Sequence, residues 1–448
     1  MVSTRQLCAL LTSLYALPAS AAVFTVGPHG ATTSLQAAID TARSQAGSHE
    51  IRVEEGTYGA VSIPSLSNSI SILGGWNATF SARTTDAAKT VLSGNDQEVV
   101  FRIDVTAASS SLTLDGLTLT KGFSDERAVA GGLHAANING ALVLNNLRVV
   151  ANHSEDLSGT ESGPGGISLR NLGQGQIQLT NSSISNNRVS SPAGADGRCF
   201  GGGLLVSVRG GPIVIRGNQI RSNRIDSSCS SAEGLGAWLS TDTNLLTFED
   251  NVIRGNESTT AFGLVLEGRA FGGTARLDLR RNRLLDNRDA SKANNSRQVS
   301  LFAKDGARIF FTDNLLAASP SIGAGVQVSN GSGGILRLTN NTIANHKFTG
   351  ASLCNVDGNV SFANGIVVQQ PTNVVVCSGS DPVNQPANQI GGDAKFRNPN
   401  QLDYRLKASS PAINKGSNTP PGGLGPFDLA GGPRKKGPKV DRGAYEYP

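Results

Sequence analysis

Leu277-Asp-Leu-Arg-Arg-Asn282-Arg-Leu284-Leu-Asp-Asn287 decides the fold of this 448-residue chain. It reads as an alternating strand, a tight corner carrying Asn, one further apolar residue and a second Asn. The phrase recurs from Leu142 to Asn152, Ile177 to Asn187, Ile213 to Asn223 and Leu246 to Asn256. It returns again at Ile309, Leu336 and Val360. A unit this short cannot bury its own apolar face and must stack on copies of itself, which makes the chain a solenoid.

From Gly131 onward a second element precedes each phrase, a Gly-led strand such as Gly132-Leu-His-Ala, Gly203-Leu-Leu-Val or Gly236-Ala-Trp-Leu. Each coil therefore predicts three strands, one tight corner and one longer loop. The repeat shortens from 35 residues (Leu144 to Leu179) to 24 (Leu338 to Phe362), mainly in the loop after the third strand. Near the start, Thr33 to Arg43 predicts a helix, with Thr33 and Gln36 as a capping box and Leu35, Ala38, Ile39 and Ala42 on one face. Such a helix would cover the open N-terminal end, where strand edges otherwise invite aggregation.

With these features the chain resembles the pectate-lyase-like proteins. The implied fold class is all-β, a right-handed single-stranded parallel β-helix with an N-terminal capping helix. The recurring amides, Asn145, Asn218, Asn251, Asn282, Asn314, Asn341 and Asn364, are expected to stack as a structural ladder, because each amide both donates and accepts. The last segment departs from the repeat. Its blocks Asp403 to Gly416, Asp428 to Arg434 and Val440 to Tyr447 resemble the choice-of-anchor Q region that closes many exported bacterial β-helix proteins. A sorting tail commonly follows that region in those proteins; here the residues run to Pro448, and a C-terminal cap is the local role expected. The divisions are 1–22 signal peptide, 23–106 N-terminal cap and first coils, 107–392 repeats and 393–448 C-terminal cap.

Arg5, the apolar run Leu7 to Leu17 and Ala19-Ser-Ala-Ala22 form an export signal with cleavage expected near Ala22. The run is too short to span a membrane, so the expected location is extracellular, cell-surface or periplasmic. Cleavage removes Cys8 and leaves four cysteines in an oxidising compartment. Equivalent positions on stacked coils lie within disulfide reach, which predicts Cys199–Cys229 and Cys354–Cys377. Charged residues make up 16% and the net charge is +5, a mild bias toward acidic partners. No basic stripe interleaved with aromatics suggests nucleic acid.

Parallel β-helix enzymes act on polysaccharides along the strand that follows the long loop. Outward positions there are expected to be His134, Ser168, Leu205, Trp238, Val265, Ser300, Gln327 and Ser352, and next Arg170, Ser207, Ser240, Glu267, Phe302 and Ser329, a mostly neutral surface. A glycosidase needs two carboxylates across the scissile bond, and this face offers Glu267 alone. The polygalacturonase and pectate-lyase catalytic motifs are missing, as are Gly-Lys phosphate loops and His-Glu-x-x-His. The expected function is binding of a polysaccharide or other envelope component by a monomer, with His134, Arg170, Trp238 and Glu267 as candidate glycan contacts. No metal or cofactor is expected, Ca2+ entering only if the chain is lyase-like. The alternatives are a lyase or hydrolase acting on acidic glycans, and a structural envelope protein. Arg188, Arg224 and Arg288, each following a second Asn, form a further basic column.

Overall fold

The computed structural model describes residues 21–157, 161–192, 197–260, 263–291, 295–354, 359–377 and 386–448. Positions 1–20 of the expected export signal, Cys8 included, lie outside them. The strands stack in parallel register into a β-helix. The first sheet has twelve strands, typified by Ala141–Asn145; the second has twelve, typified by Arg148–Val150; the third has thirteen, typified by Ile167–Asn171. Three strands per coil understates the middle of the molecule. A narrow fourth strip of six two- or three-residue strands, such as His153–Glu155, lies between the second and third sheets. Inside runs a continuous column of Leu, Ile and Val, nearly all with no solvent exposure. Fully burying each such side chain is worth about 1.5–3 kcal/mol.

Two corners carry amide ladders. At the first corner Asn218, Asn251, Asn282, Asn314 and Asn341 stack, each Nδ2 donating to the next Oδ1 at 3.0 to 3.2 Å. Each backbone N–H donates to that same oxygen, and Nδ2 also reaches a carbonyl of the preceding coil, as from Asn251 to Ile215 at 3.0 Å. At the second corner Asn152, Asn187, Asn223, Asn256 and Asn287 repeat the pattern. This second ladder explains the Gly-led strands. A Cβ on Gly203 would lie 2.8 Å from the Nδ2 of Asn223, and one on Gly132 2.9 Å from that of Asn152.

Asn145 and Asn364 do not belong to the first ladder. The ladder position lies three residues beyond the last buried strand residue, as Asn282 follows Leu279; in the coil of Leu144 it falls on Leu147, which packs in the core. Asn145 ends its strand and bonds Asp115 and Thr180. Asn364 holds the left-handed position just before the ladder (φ 54°), equivalent to Asn340, and exchanges hydrogen bonds with Ser417. Ladder geometry resumes at Asn388, which accepts from the Gly365 N–H.

The N-terminal helix is Leu35–Ser44, capped by Ser34 rather than Thr33. Leu35, Ala38, Ile39 and Ala42 are buried as the periodicity predicts. Gln36 leaves the capping box and instead clasps the exposed edge, accepting from the Ser62 N–H (2.9 Å) and donating to the Ser62 carbonyl (3.0 Å). Arg43 donates to Ser65 O in the same way. Edge groups that would recruit another chain are thus paired internally.

The C-terminal segment is not an end cap; it lies along the flank. Phe396–Asn398 and Asp403–Leu406 pair antiparallel. Phe396, Tyr404, Leu429, Ala444 and Tyr445 then pack on the outer face of the second sheet, over Leu285, Leu315, Ala317, Ala344, Ile366 and Val368. Outward apolar residues on that sheet need a cover, and the chain supplies it.

Candidate functional site: a basic, aromatic-lined cleft

The third sheet carries the cleft, and its register places the side chains. Along one outward row His134, Ser168, Leu205, Trp238, Glu267 and Ser300 are successive partners. The next row is Ala136, Arg170, Ser207, Ser240, Arg269 and Phe302. Glu267 therefore faces Trp238, and Val265 does not. Strand Ser231–Thr241 carries two extra residues between Glu233 and Ala237 relative to Gly263–Phe271, so aligning Gly236 with Gly263 misplaces every later residue by two.

The long loops form the wall. Glu161–Ser162, Arg198–Phe200 and the start of Ser231–Thr241 pair in parallel as short strands of their own. The Cys199–Cys229 disulfide staples this wall, with Cα atoms 5.8 Å apart; Cys354–Cys377 links coils lower on the same sheet, at 4.8 Å. Both predicted pairings form. Floor and wall enclose a cleft of about 270 Å³ bounded by Glu161, Arg170, Arg198, Phe200, Trp238 and Arg269. A second hollow of about 360 Å³, with Phe271 and Lys304, abuts it and shares Ser207, Arg209, Trp238 and Arg269.

Trp238 stands at the junction of the two hollows. Phe200 meets it edge-on (5.9 Å between centroids), and the Arg269 guanidinium lies over its ring at 5.8 Å. Its indole N–H is buried and has no hydrogen-bond partner among the described residues. Four guanidiniums line the two hollows, and carboxylates engage three of them. Arg198 is ion-paired with Glu233, Arg209 with Asp242 (2.9 Å), and Arg269 with both Glu233 (3.3 Å) and Glu267. Arg170 is exposed and forms no ion pair with any described residue.

The two other candidates are below the surface. Glu267 is 4% exposed, and burial pushes its carboxyl up to about 7, against the pull of Arg269. One of its oxygens has no partner. His134 is 5% exposed; burial, reinforced by Arg102, drives its imidazole down to about 4, so it is neutral near pH 7. His134 and Arg170 are not register partners: Ser168 lies beside His134, and Arg170 beside Ala136. Of the four sequence candidates, Arg170 and Trp238 line the cleft.

Arg198, Phe200, Arg209 and Arg269 were not among the sequence candidates. The first two sit in the wall, whose strands are too short to mark themselves in the sequence; their flanking of Cys199, the expected partner of Cys229, was the available signal. The surface carries two aromatic rings and four guanidiniums, three of them ion-paired. The carboxylates at the cleft are engaged by guanidiniums, Glu233 by Arg198 and Arg269, Glu267 by Arg269 and Glu161 by Arg127. Among the described residues no group of three or more His, Cys, Asp or Glu side chains is placed to hold a metal, and no helix is long and apolar enough to cross a membrane.

No family model and no curated protein matches the chain. Among solved structures, the crystal structure of pectate lyase Pel9A is similar, with TM-score 0.48 and 13% identity over 96% of this chain and 97% of that one.

Proposed function

We propose that the protein is exported and binds an acidic polysaccharide, its chain lying in the cleft beside Trp238. One observation carries this reading: a half-buried indole is set among Arg170, Arg198, Arg209 and Arg269. The indole face suits the apolar face of a sugar ring. Guanidiniums give carboxylates paired, planar hydrogen bonds. The two disulfides and the export signal read at the N-terminus support an oxidising destination. The C-terminal resemblance to choice-of-anchor Q proteins adds a cell-surface setting.

Isothermal titration of the mature protein with oligogalacturonate and with a neutral glucan tests the reading. Binding of the acidic oligomer alone, weakened at least tenfold by Trp238→Ala, is expected; equal binding of both, or of neither, overturns it. Glu267 supports a second, catalytic reading, since a carboxyl near neutrality is suited to proton transfer. Incubation with polygalacturonate followed by absorbance of unsaturated ends decides it: product that disappears in Glu267→Gln makes the protein a lyase, and no product leaves it a binder.

A further inference from the structure

A second basic surface lies outside the cleft, at the corner between the second sheet and the narrow strip. Arg221 and Arg254 are register partners on adjacent coils. Both are exposed, and neither forms an ion pair with a described residue. Three residues beyond Arg221, Arg224 is the register partner of Arg188, and both guanidiniums converge on the single carboxylate of Asp226, with Arg224 Nε 2.8 Å from it. Arg288 continues that row beyond Glu257 and reaches Asp286 at 3.5 Å. Five guanidiniums thus face three carboxylates, Asp226, Glu257 and Asp286.

In-register like charges on neighbouring strands destabilise a sheet, so stacking Arg on Arg has a cost that Ser or Thr would avoid. The same outward row shows where the arginines stop. Ser185, Arg221 and Arg254 are followed by Leu285, Ala317 and Ala344. The change coincides with the margin of the C-terminal cover, where Arg283 donates to Leu429 O at 2.7 Å. The chain covers the apolar part of the row and leaves the basic part open. Adjacent coils lie about 4.8 Å apart, so the five guanidiniums are spread over about 15 Å, with the two unpaired ones, Arg221 and Arg254, one coil apart. That geometry suits an extended polyanion with regularly spaced charge.

We propose that this ridge, centred on Arg221 and Arg254, is a second site for an acidic polysaccharide, so that one molecule holds two chains or two stretches of one chain. The proposal rests on the cleft reading for the two-point attachment, while the ridge itself stands on its own residues. Two variants separate them, Arg221→Glu/Arg254→Glu and Arg170→Ala/Trp238→Ala, each made in the full chain and checked by circular dichroism. Short oligogalacturonate reports affinity, and light scattering of long polygalacturonate reports bridging.

Wild type is expected to raise scattering at least fivefold at low salt. The ridge variant keeps its oligomer affinity within about twofold and loses the scattering. The cleft variant retains weak, salt-sensitive binding that adding the ridge substitutions removes. Unchanged scattering and affinity in the ridge variant overturn the second site. Loss in the ridge variant with no loss in the cleft variant overturns the cleft and keeps the ridge. Vesicles of equal phosphatidylglycerol and phosphatidylcholine give the last arm: ridge-dependent binding to these but not to polygalacturonate overturns a polysaccharide partner.

Discussion

Arg434 and Asp313 are 121 residues apart in the chain and 2.9 Å apart in space, each with a side chain only 2% exposed. Asp313 occupies the left-handed corner position (φ 58°) just before ladder residue Asn314; Arg434 belongs to the segment that lies over the flank. Arg434 also donates to the carbonyls of Gly443 and Asp441 and to the Glu446 carboxylate. Asp428 and Asp441 complete the network by accepting backbone N–H groups, from Gly432 at 2.8 Å and Asn414 at 2.6 Å. The residues that make the C-terminal blocks distinctive are thus a buried clasp between that segment and the β-helix.

Removing one partner of such a network leaves the others buried and uncompensated. Arg434→Ala should therefore cost about 3–5 kcal/mol. Limited proteolysis should cut first in the C-terminal segment, and urea unfolding should show the loss. A change under 1 kcal/mol would falsify the clasp.

The ladder assignments separate by position. Asn251→Ala removes an amide that both donates and accepts within the buried stack and should cost about 1–3 kcal/mol. Asn145→Ala, at a partly exposed strand end, should cost about 1 kcal/mol or less. Equal losses in chemical denaturation would contradict the register.

The Cys199–Cys229 bond closes a loop across 30 residues, worth about 2–4 kcal/mol. Its second effect is on the cleft, because the same wall carries Arg198 and Phe200. Replacing both cysteines by Ala should lower the melting temperature and weaken oligogalacturonate binding together, whereas loss of stability alone would detach the wall from the site.

His346 is fully buried, with Nε2 2.8 Å from Gln298 Oε1, and burial drives its imidazole down to about 3. Its folded pKa lies below the unfolded value of about 6.5. The stability it contributes is present above pH ~6.5 and is lost as the pH falls toward 3, at about 1.4 kcal/mol per pH unit. The stability gap between wild type and His346→Gln should narrow by that slope between pH 6.5 and 4.5. A gap that stays constant places the titration elsewhere.

Glu267 works in the other direction on binding. Held near 7 by burial, its carboxyl gains a proton below that pH and removes a negative charge beside Arg269 and Trp238. Affinity for an acidic oligomer should rise severalfold from pH 8 to 6, and Glu267→Gln should abolish the change. A pH-independent Kd in the wild type would exclude Glu267 as the source.

How far the residues could be read in advance depended on the range of the interaction. The ladder from Asn218 to Asn341 was legible because each amide sits at a fixed offset from a local apolar pattern. Asn145 and Asn364 were misread for want of that same offset, three residues past the last buried strand position. The two disulfides were legible because coil stacking puts equivalent residues within bonding distance. The position of Glu267 was not, because two extra residues in a neighbouring strand shift a register that no local pattern records. Nor was the burial of His134, which depends on loops folding back over an outward-facing row.

Local periodicity, repeated along Leu277 to Asn287 and its copies, was enough to dictate a parallel stack of coils, since a half-apolar strand has no other stable partner than the next copy. Which side chains share a cleft was settled only when the strands took their register and the stapled loops rose as a wall beside Trp238. The same holds for Arg434 and Asp313, whose pairing depends on a tail laid across coils folded from residues more than a hundred positions earlier. Repetition encodes what contacts itself; contacts between unlike segments are encoded in the packed whole.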